Sequence, residues 1–315
     1  MISREDIKMN KFLKAIKLIG NPSKLVLRLS SCGFARLFSD EFFLKCEYKH
    51  SFGKNLNLDE PKTFNEKLQW LKLYNRKTEY TTMVDKYGVK KYVAELIGEE
   101  YVIPTLGVWE RFEDIDFGSL PNQFVLKCTH DSGGLVICRD KVLLDIEKAK
   151  KRINWSLNRK YFYEHREWPY KNVKPRIIAE KYVEDRFHPE QISLLVYKIM
   201  CFEGTPKIIQ TIQGDKTSSE TIDYFDTEWN LLNMRQNYPN SEKPLERPIS
   251  LERMLLLAAK MSVGHPFLRV DFYELEGKPY FSEFTFFSDA GLAKFTPESW
   301  DDTLGDWIKL PQKEK

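Results

Sequence analysis

Two apolar runs near the C-terminal end carry the residue types best suited to chemistry, Phe267-Leu-Arg-Val-Asp-Phe-Tyr273 and Pro279-Tyr-Phe-Ser-Glu-Phe-Thr-Phe286. Read with a two-residue period, Arg269, Asp271 and Tyr273 share one face of the first run, and Phe281, Glu283 and Thr285 share one face of the second. A three-residue loop at Glu276-Gly277-Lys278 joins them into a hairpin with Asp271 opposite Glu283 and Arg269 opposite Thr285. A two-residue loop would instead put the two carboxylates on different faces. Facing carboxylates repel, and apolar neighbours limit their solvation, so a cation would resolve the conflict. Oxygen donors without His or Cys point to magnesium, which keeps several waters and takes substrate phosphates as ligands. A solvated edge hairpin, or an ion pair between Asp271 and Arg269, would account for the same residues without a metal.

Two further stretches carry weaker signals. In Gln123-Phe-Val-Leu-Lys-Cys-Thr-His-Asp-Ser-Gly-Gly-Leu-Val-Ile137 a strand ends at Lys127 and a polar loop reaches Gly133-Gly134 before a second strand. Backbone amides beside glycine approach phosphate oxygens closely, and a lysine on the preceding strand neutralises them. The Gly-x-x-x-x-Gly-Lys-Ser/Thr pattern is absent, however, and Gly-Gly between strands is usually a turn. In Pro175-Arg-Ile-Ile-Ala-Glu-Lys-Tyr-Val-Glu-Asp185 an apolar strand ends in polar residues. Backbone at such an end can read an adenine edge, and Glu184 or Asp185 can accept from ribose hydroxyls. A half-buried strand leaving its sheet reads the same way.

These stretches need elements to hold them. At 315 residues, with 42% hydrophobic and 30% charged residues, the chain is long enough for a large core and too apolar for disorder. Residues 1 to about 115 read mainly as helices, with Thr63-Phe-Asn-Glu66 as a capping box and a second helix from Asp85 to about Ile97. From about 120, short β-rich runs alternate with turns and with helices near 145 to 160 and 250 to 262, an α+β pattern. Forty-nine basic against 46 acidic residues is too balanced to signal nucleic-acid binding. The first 36 residues nevertheless hold eight basic and two acidic ones. There Met9, Phe12, Leu13, Ile16 and Ile19 recur at helical spacing among lysines, which fits either a helix packed on its own protein or one lying on an anionic membrane surface. No signal peptide or 18-residue apolar run is expected. Five widely spaced cysteines without a Cys-x-x-Cys pair suggest small core residues in a reduced, cytoplasmic compartment.

The order of the signals is more specific than any one of them. Lys127 before Gly133-Gly134, then Glu-Lys-Tyr-Val at 180 to 183, then Arg-Val-Asp at 269 to 271 followed by Glu283, resembles the ATP-grasp superfamily. Phe64-Asn-Glu-Lys-Leu-Gln-Trp70, Lys174-Pro-Arg-Ile-Ile-Ala-Glu-Lys-Tyr182 and Ser282-Glu-Phe-Thr-Phe286 are similar to its TupA-like branch, associated with teichuronopeptide and cell-surface polysaccharide biosynthesis. The resemblance spans roughly 60 to 310. It implies an α+β ATP-grasp fold: a helical region over 1–115, a subdomain over 116–183 with the glycine-containing phosphate loop, and a subdomain over 184–315 with the metal hairpin.

The resemblance further implies that ATP and Mg2+ are bound. Lys127, Ser132, Gly133 and Gly134 would cover the phosphates, and Glu180, Lys181, Tyr182 and Val183 would form the adenine hinge, with Asp185 at the ribose. Lys198 would be a further phosphate contact, or else a lysine snorkelling from an edge strand. Arg269 would steady the phosphoryl group together with Lys127, and Asp271 and Glu283 would hold magnesium. Thr285 stands where many relatives carry Asn, and Phe286-Phe287-Ser288-Asp289 replaces a smaller, glycine-containing stretch. The implied activity joins a carboxylate-bearing glycan or its precursor to an amino compound through an acyl phosphate. Glycosyl or phosphoryl transfer, or nucleotide binding without turnover, are the alternatives. His130 and His188 read as structural. The aromatic stretch Arg159–Lys171 reads as a packed loop between subdomains, with an acceptor surface as its alternative.

Overall fold

The computed structural model describes residues 22–30, 34–185, 194–214 and 220–313. The basic amphipathic segment between Met9 and Ile19, Cys32 and His188 lie outside them. Two antiparallel sheets organise the chain. The smaller runs β1-β4-β2-β3, from β1 (Thr105–Trp109), β2 (Phe124–Cys128), β3 (Leu135–Cys138) and β4 (Ile177–Lys181). The larger runs β7-β6-β5-β8-β9, from β5 (Val196–Phe202), β6 (Thr205–Gln213), β7 (Thr221–Phe225), β8 (Phe267–Leu275) and β9 (Lys278–Thr285).

Side-chain alternation decides what each sheet turns outward. In the small sheet Phe124, Leu126, Cys128, Ile177 and Ala179 bury against Ala149 and Ile153 of the helix Ile146–Leu157. That leaves Val125, Lys127, Ile178 and Glu180 on the opposite face, where Lys127 pairs with Ile178 and Val125 with Glu180. In the large sheet Leu268, Val270 and Phe272 are sealed on the face covered by the helix Leu251–Ser262, which packs on β5, β6 and β8. Each such side chain contributes about 1.5–3 kcal/mol of burial. The other face of β8 is therefore left to Arg269 and Asp271.

The hairpin itself departs from expectation. Its turn has two residues, Glu276 and Gly277, both with left-handed backbone (φ 51° and 75°), not the three-residue loop expected. Leu275 accordingly pairs with Lys278 and Phe272 with Phe281, a register that alone would separate the carboxylates. A bulge at Ser282 then inserts one residue and restores Asp271 opposite Glu283 and Arg269 opposite Thr285. The facing of the acidic pair holds, and its cause is the bulge.

Other elements fall close to the sequence reading. The capping box forms, with Thr63 Oγ1 accepting from Glu66 N and the Glu66 carboxylate accepting from Thr63 N, at the head of the helix Phe64–Tyr74. The helix expected from Asp85 to about Ile97 runs Gly88–Ile97, and a separate short helix, Glu79–Val84, precedes it. Cys46, Cys128, Cys138 and Cys201 are buried and unpaired. Among the described residues no helix is long and apolar enough to cross a membrane.

Candidate active site

Lys127 leaves β2 on the face of the small sheet turned away from the helix Ile146–Leu157 and meets Glu180, two strand positions away on β4. Its Nζ lies 2.6 Å from Glu180 Oε2, and Lys90 Nζ, from the helix Gly88–Ile97, lies 2.6 Å from Oε1 of the same carboxylate. Burial works to raise the Glu180 carboxyl, but the two ammonium groups outweigh it and hold it down at about 2. The lysines divide unequally. Burial opposes the charge of both, yet Lys127 also feels Tyr273 and Glu283 and is pushed up, whereas Lys90, with Lys127 as a like-charged neighbour, is pushed down. Lys127 is the one held charged, and at 23% exposure it remains reachable from solvent.

The large sheet offers the complementary half. Arg269 donates through Nε to Asp271 Oδ1 (2.8 Å) and through Nη2 to Asp271 Oδ2 (2.7 Å), and Nη2 lies 3.8 Å from Glu283 Oε1. The ion pair that would explain the sequence without a metal is thus present, and Glu283 touches it only at its margin, with 47% of its side chain exposed. Partial loss of water would raise the Glu283 carboxyl; Lys86, Arg269, Lys198 and Lys127 together push it down instead. For Asp271 burial prevails over Arg269 and Lys198, and its carboxyl is pushed up. Lys198 pairs with Asp271 on one side and Gln210 on the other, in the third of five strands. The reading of Lys198 as an edge residue is therefore corrected. Burial and Arg269 lower its pKa.

The glycine loop joins β2 to β3 within the small sheet. Its carbonyls are held by basic side chains: Lys86 Nζ donates to Asp131 O, Arg159 Nη1 to Ser132 O (2.6 Å) and Arg152 Nη2 to Gly133 O (2.7 Å). Gly134 is required by packing, since a Cβ there would collide with Ser156 Oγ, whereas Gly133 has left-handed backbone (φ 102°) and open space around it. At the end of β4 Lys181 N donates to Pro104 O (3.0 Å); beyond it Tyr182 and Val183 are half-buried, and Asp185 Oδ1 accepts from Glu276 N (3.5 Å) at the hairpin tip. Asp185 thus lies at the far end of the hairpin from Asp271. His130 is buried, Nε2 3.2 Å from Arg159 O, in keeping with a structural role.

The sequence reading missed four polar residues near this site. Lys86 and Lys90 sit where a plain helix was expected; their signal was the Gly88 interruption beside two lysines. Gln210 is buried beside Lys198 with Oε1 lacking a hydrogen bond. Asp289, within electrostatic reach of Arg269 and Lys198, lies with Ala290 in left-handed backbone (φ 47° and 54°). Such strain costs on the order of 1–3 kcal/mol per residue and persists where neighbours over-determine it. Those neighbours belong to the helix Phe64–Tyr74: Gln69 Nε2 (2.9 Å) and Lys72 Nζ (2.8 Å) both donate to Ala290 O, and Asn65 Nδ2 donates to Ala293 O (2.9 Å). The Phe64–Trp70 motif is a clamp on the segment that follows the hairpin.

Among the described residues no three His, Cys, Asp or Glu side chains gather closely enough to hold a metal by themselves. The donor set of Glu283, Asp271 and the Thr285 hydroxyl still fits magnesium, which brings waters and completes its shell on phosphates. Five cationic groups, Lys86, Lys90, Lys127, Lys198 and Arg269, face Glu180, Asp271, Glu283 and Asp289, so the site suits an added polyanion.

The TupA-like ATPgrasp family model matches residues 66–309. No curated protein matches the chain. Solved structures similar to it include D-alanine–D-alanine ligase from Bacillus anthracis complexed with ATP (18% identity, TM-score 0.43, 72% of this chain and 65% of that one). A RimK domain protein ATP-grasp from Sphaerobacter thermophilus is another (13% identity, TM-score 0.37, 75% and 70%). A third is the biotin carboxylase domain of Hydrogenobacter thermophilus 2-oxoglutarate carboxylase in complex with MgADP (16% identity, TM-score 0.37, 65% and 40%). The chain spans less than two thirds of the length of the first and third of these.

Proposed function

This chain belongs to the TupA-like ATP-grasp family, and from that premise we propose that it is an ATP- and magnesium-dependent ligase joining a carboxylate to an amine. Its acceptor is a carboxylate-bearing surface glycan or precursor, as the family resemblance suggests. The observation that carries the reading is the facing of Asp271 and Glu283 on the large sheet beside Arg269, whose Nη2 lies 3.8 Å from Glu283 Oε1, together with Lys127 held by Glu180 on the small sheet.

Bound ATP and magnesium supply the phosphoryl group and the divalent charge that screens it. The chain supplies alignment and fixed charge. Lys127 and Lys198 offset the negative charge on the phosphate oxygens from opposite sheets, and Arg269, locked in orientation by Asp271, offsets the charge that develops as the acceptor carboxylate takes the γ-phosphoryl group. Glu283, Asp271 and Thr285 would hold the metal. The amine then forms a C–N bond at the acyl carbon while the C–O bond to phosphate breaks. Residues 180–183 and Asp185 would seat the adenosine, and Ser132, Gly133 and Gly134 would close over the phosphates.

A binding screen with magnesium, comparing ATP with UDP-sugars on the wild type and on Lys127→Ala, tests the reading. ATP should bind the wild type and bind the variant far more weakly, and ADP release should require both a uronate and an amine. Preferential binding of a UDP-sugar, or unaltered ATP affinity in Lys127→Ala, would remove it.

A further inference from the structure

Near this site lies a largely buried carboxylate to which no described residue donates, with oxygens not sealed from water. Glu167, in the aromatic stretch Arg159–Lys171, is 8% exposed, and among the described residues its carboxylate accepts no hydrogen bond. The charges that face it are Lys72 from the clamp helix, His165 from its own stretch, Glu47 from the helix Asp40–Phe52 and Arg269 from β8. None of these cations donates a hydrogen bond to Glu167. Lys72 Nζ donates to Ala290 O, His165 Nδ1 lies 2.7 Å from Glu47 Oε1, and Arg269 donates to Asp271 and, through Nη1, to Ser288 Oγ (3.3 Å). Tyr161 and Tyr170, in edge-to-face contact at 4.7 Å, are each within electrostatic reach of both Glu167 and Glu283, which ties Glu167 to the metal hairpin.

A nearly buried carboxylate without donors is unfavourable, and its two oxygens call for a ligand that brings N–H groups and positive charge. We propose that Glu167, with Tyr161 and Tyr170 beside it, is the seat for the ammonium group of the amine substrate, an inference that rests on the ligase reading above. An ammonium supplies three donors, and aromatic faces add cation–π attraction. Glu47 and Glu167 match the permanent cations Lys72 and Arg269 in number, so the groups around Glu167 present the incoming ammonium with no excess of permanent positive charge. Burial pushes the Glu167 carboxyl up to about 6, against the pull of Lys72 and His165, which lets it take a proton near neutrality. One ammonium proton passes to a Glu167 oxygen, and the freed nitrogen lone pair forms the C–N bond. The electron pair of the breaking C–O bond leaves with phosphate, which takes the second nitrogen proton.

The test measures ADP release with Mg-ATP, galacturonate as the carboxylate probe, L-lysine, L-alanine and ethanolamine as cationic amines, and hydroxylamine as an amine largely uncharged at neutral pH. Glu167→Gln should raise KM for the cationic amines at least tenfold, leave Mg-ATP affinity within twofold and retain hydroxamate formation, while Glu167→Asp recovers part of the loss. Unchanged KM for the cationic amines, an equal loss with hydroxylamine, or ADP release that no amine accelerates would overturn the inference while Mg-ATP still binds. Failure of the wild type to bind Mg-ATP removes the ligase reading, and this inference with it.

Discussion

Glu180 and Glu167 are buried to nearly the same degree, 6% and 8% exposed, yet they end at opposite ends of the carboxylate range, about 2 and about 6. Burial raises both. The difference lies in hydrogen bonds: Glu180 accepts from two lysines at 2.6 Å, whereas Glu167 is faced by cations whose donors are directed elsewhere. The first carboxylate holds Lys127 and Lys90 in place before any ligand arrives. The second leaves a charge unanswered.

The largest expected effect comes from breaking the satisfied member. Glu180→Ala strands two ammonium groups in a poorly hydrated site and should destabilise the fold by about 3–5 kcal/mol, read by urea or thermal unfolding. A loss below about 1 kcal/mol would mean that the lysines find solvent and that Glu180 is no anchor. The same carboxylate makes an acid-side prediction. Its folded pKa lies below the ordinary 4.5, so its stabilisation is fully present above 4.5 and is lost as pH falls toward 2. In Glu180→Gln that acid-side loss should be smaller.

Next comes Asp271→Asn, which should lower ADP release about a thousandfold, roughly 4 kcal/mol of barrier, because it unlocks Arg269 and removes a metal ligand together. Lys127→Ala should follow, with ATP affinity down about a hundredfold, roughly 2.7 kcal/mol. Glu180 keeps Lys90 as a partner in that variant, so stability should fall far less than in Glu180→Ala. A variant that unfolds as readily as Glu180→Ala would show that Lys127 is chiefly structural.

The two carboxylates were not equally legible in the sequence. Glu180 sits in an apolar strand that alternation places on the same face as Lys127 two strand positions away, so pattern and spacing lead to it, though toward an adenine hinge and not toward a lysine pair. Asp271 and Glu283 were legible for the same reason, because a period of two is local. The bulge at Ser282 was not, since a bulge answers to the whole sheet and leaves no local mark in Phe281-Ser-Glu-Phe284. Glu167 stands in Arg159–Lys171, where no period holds. Its isolation follows from Lys72 being drawn to Ala290 O and Arg269 to Asp271, contacts between segments far apart along the chain. The clamp of Asn65, Gln69 and Lys72 was visible as helical spacing, but only the fold shows what it grips.

The smallest predicted effect is the most direct test of the unsatisfied member. The folded pKa of Glu167 is raised from 4.5 to about 6, so its contribution to stability is fully present below 4.5 and is lost as pH rises through 6. At about 1.36 kcal/mol per unit, ionised Glu167 costs the fold about 2 kcal/mol near pH 7.5. Glu167→Gln, whose amide stays neutral throughout, should therefore match the wild type at pH 4 and exceed it by about 2 kcal/mol at pH 7.5, a few degrees in melting temperature. The Glu180 transition is common to both proteins and cancels in the difference. A saturating cationic amine should close the gap by stabilising the wild type alone. A flat difference from pH 4 to 7.5 would mean that water already satisfies Glu167 as fully as the lysines satisfy Glu180, and the contrast between the two carboxylates would lose its physical basis.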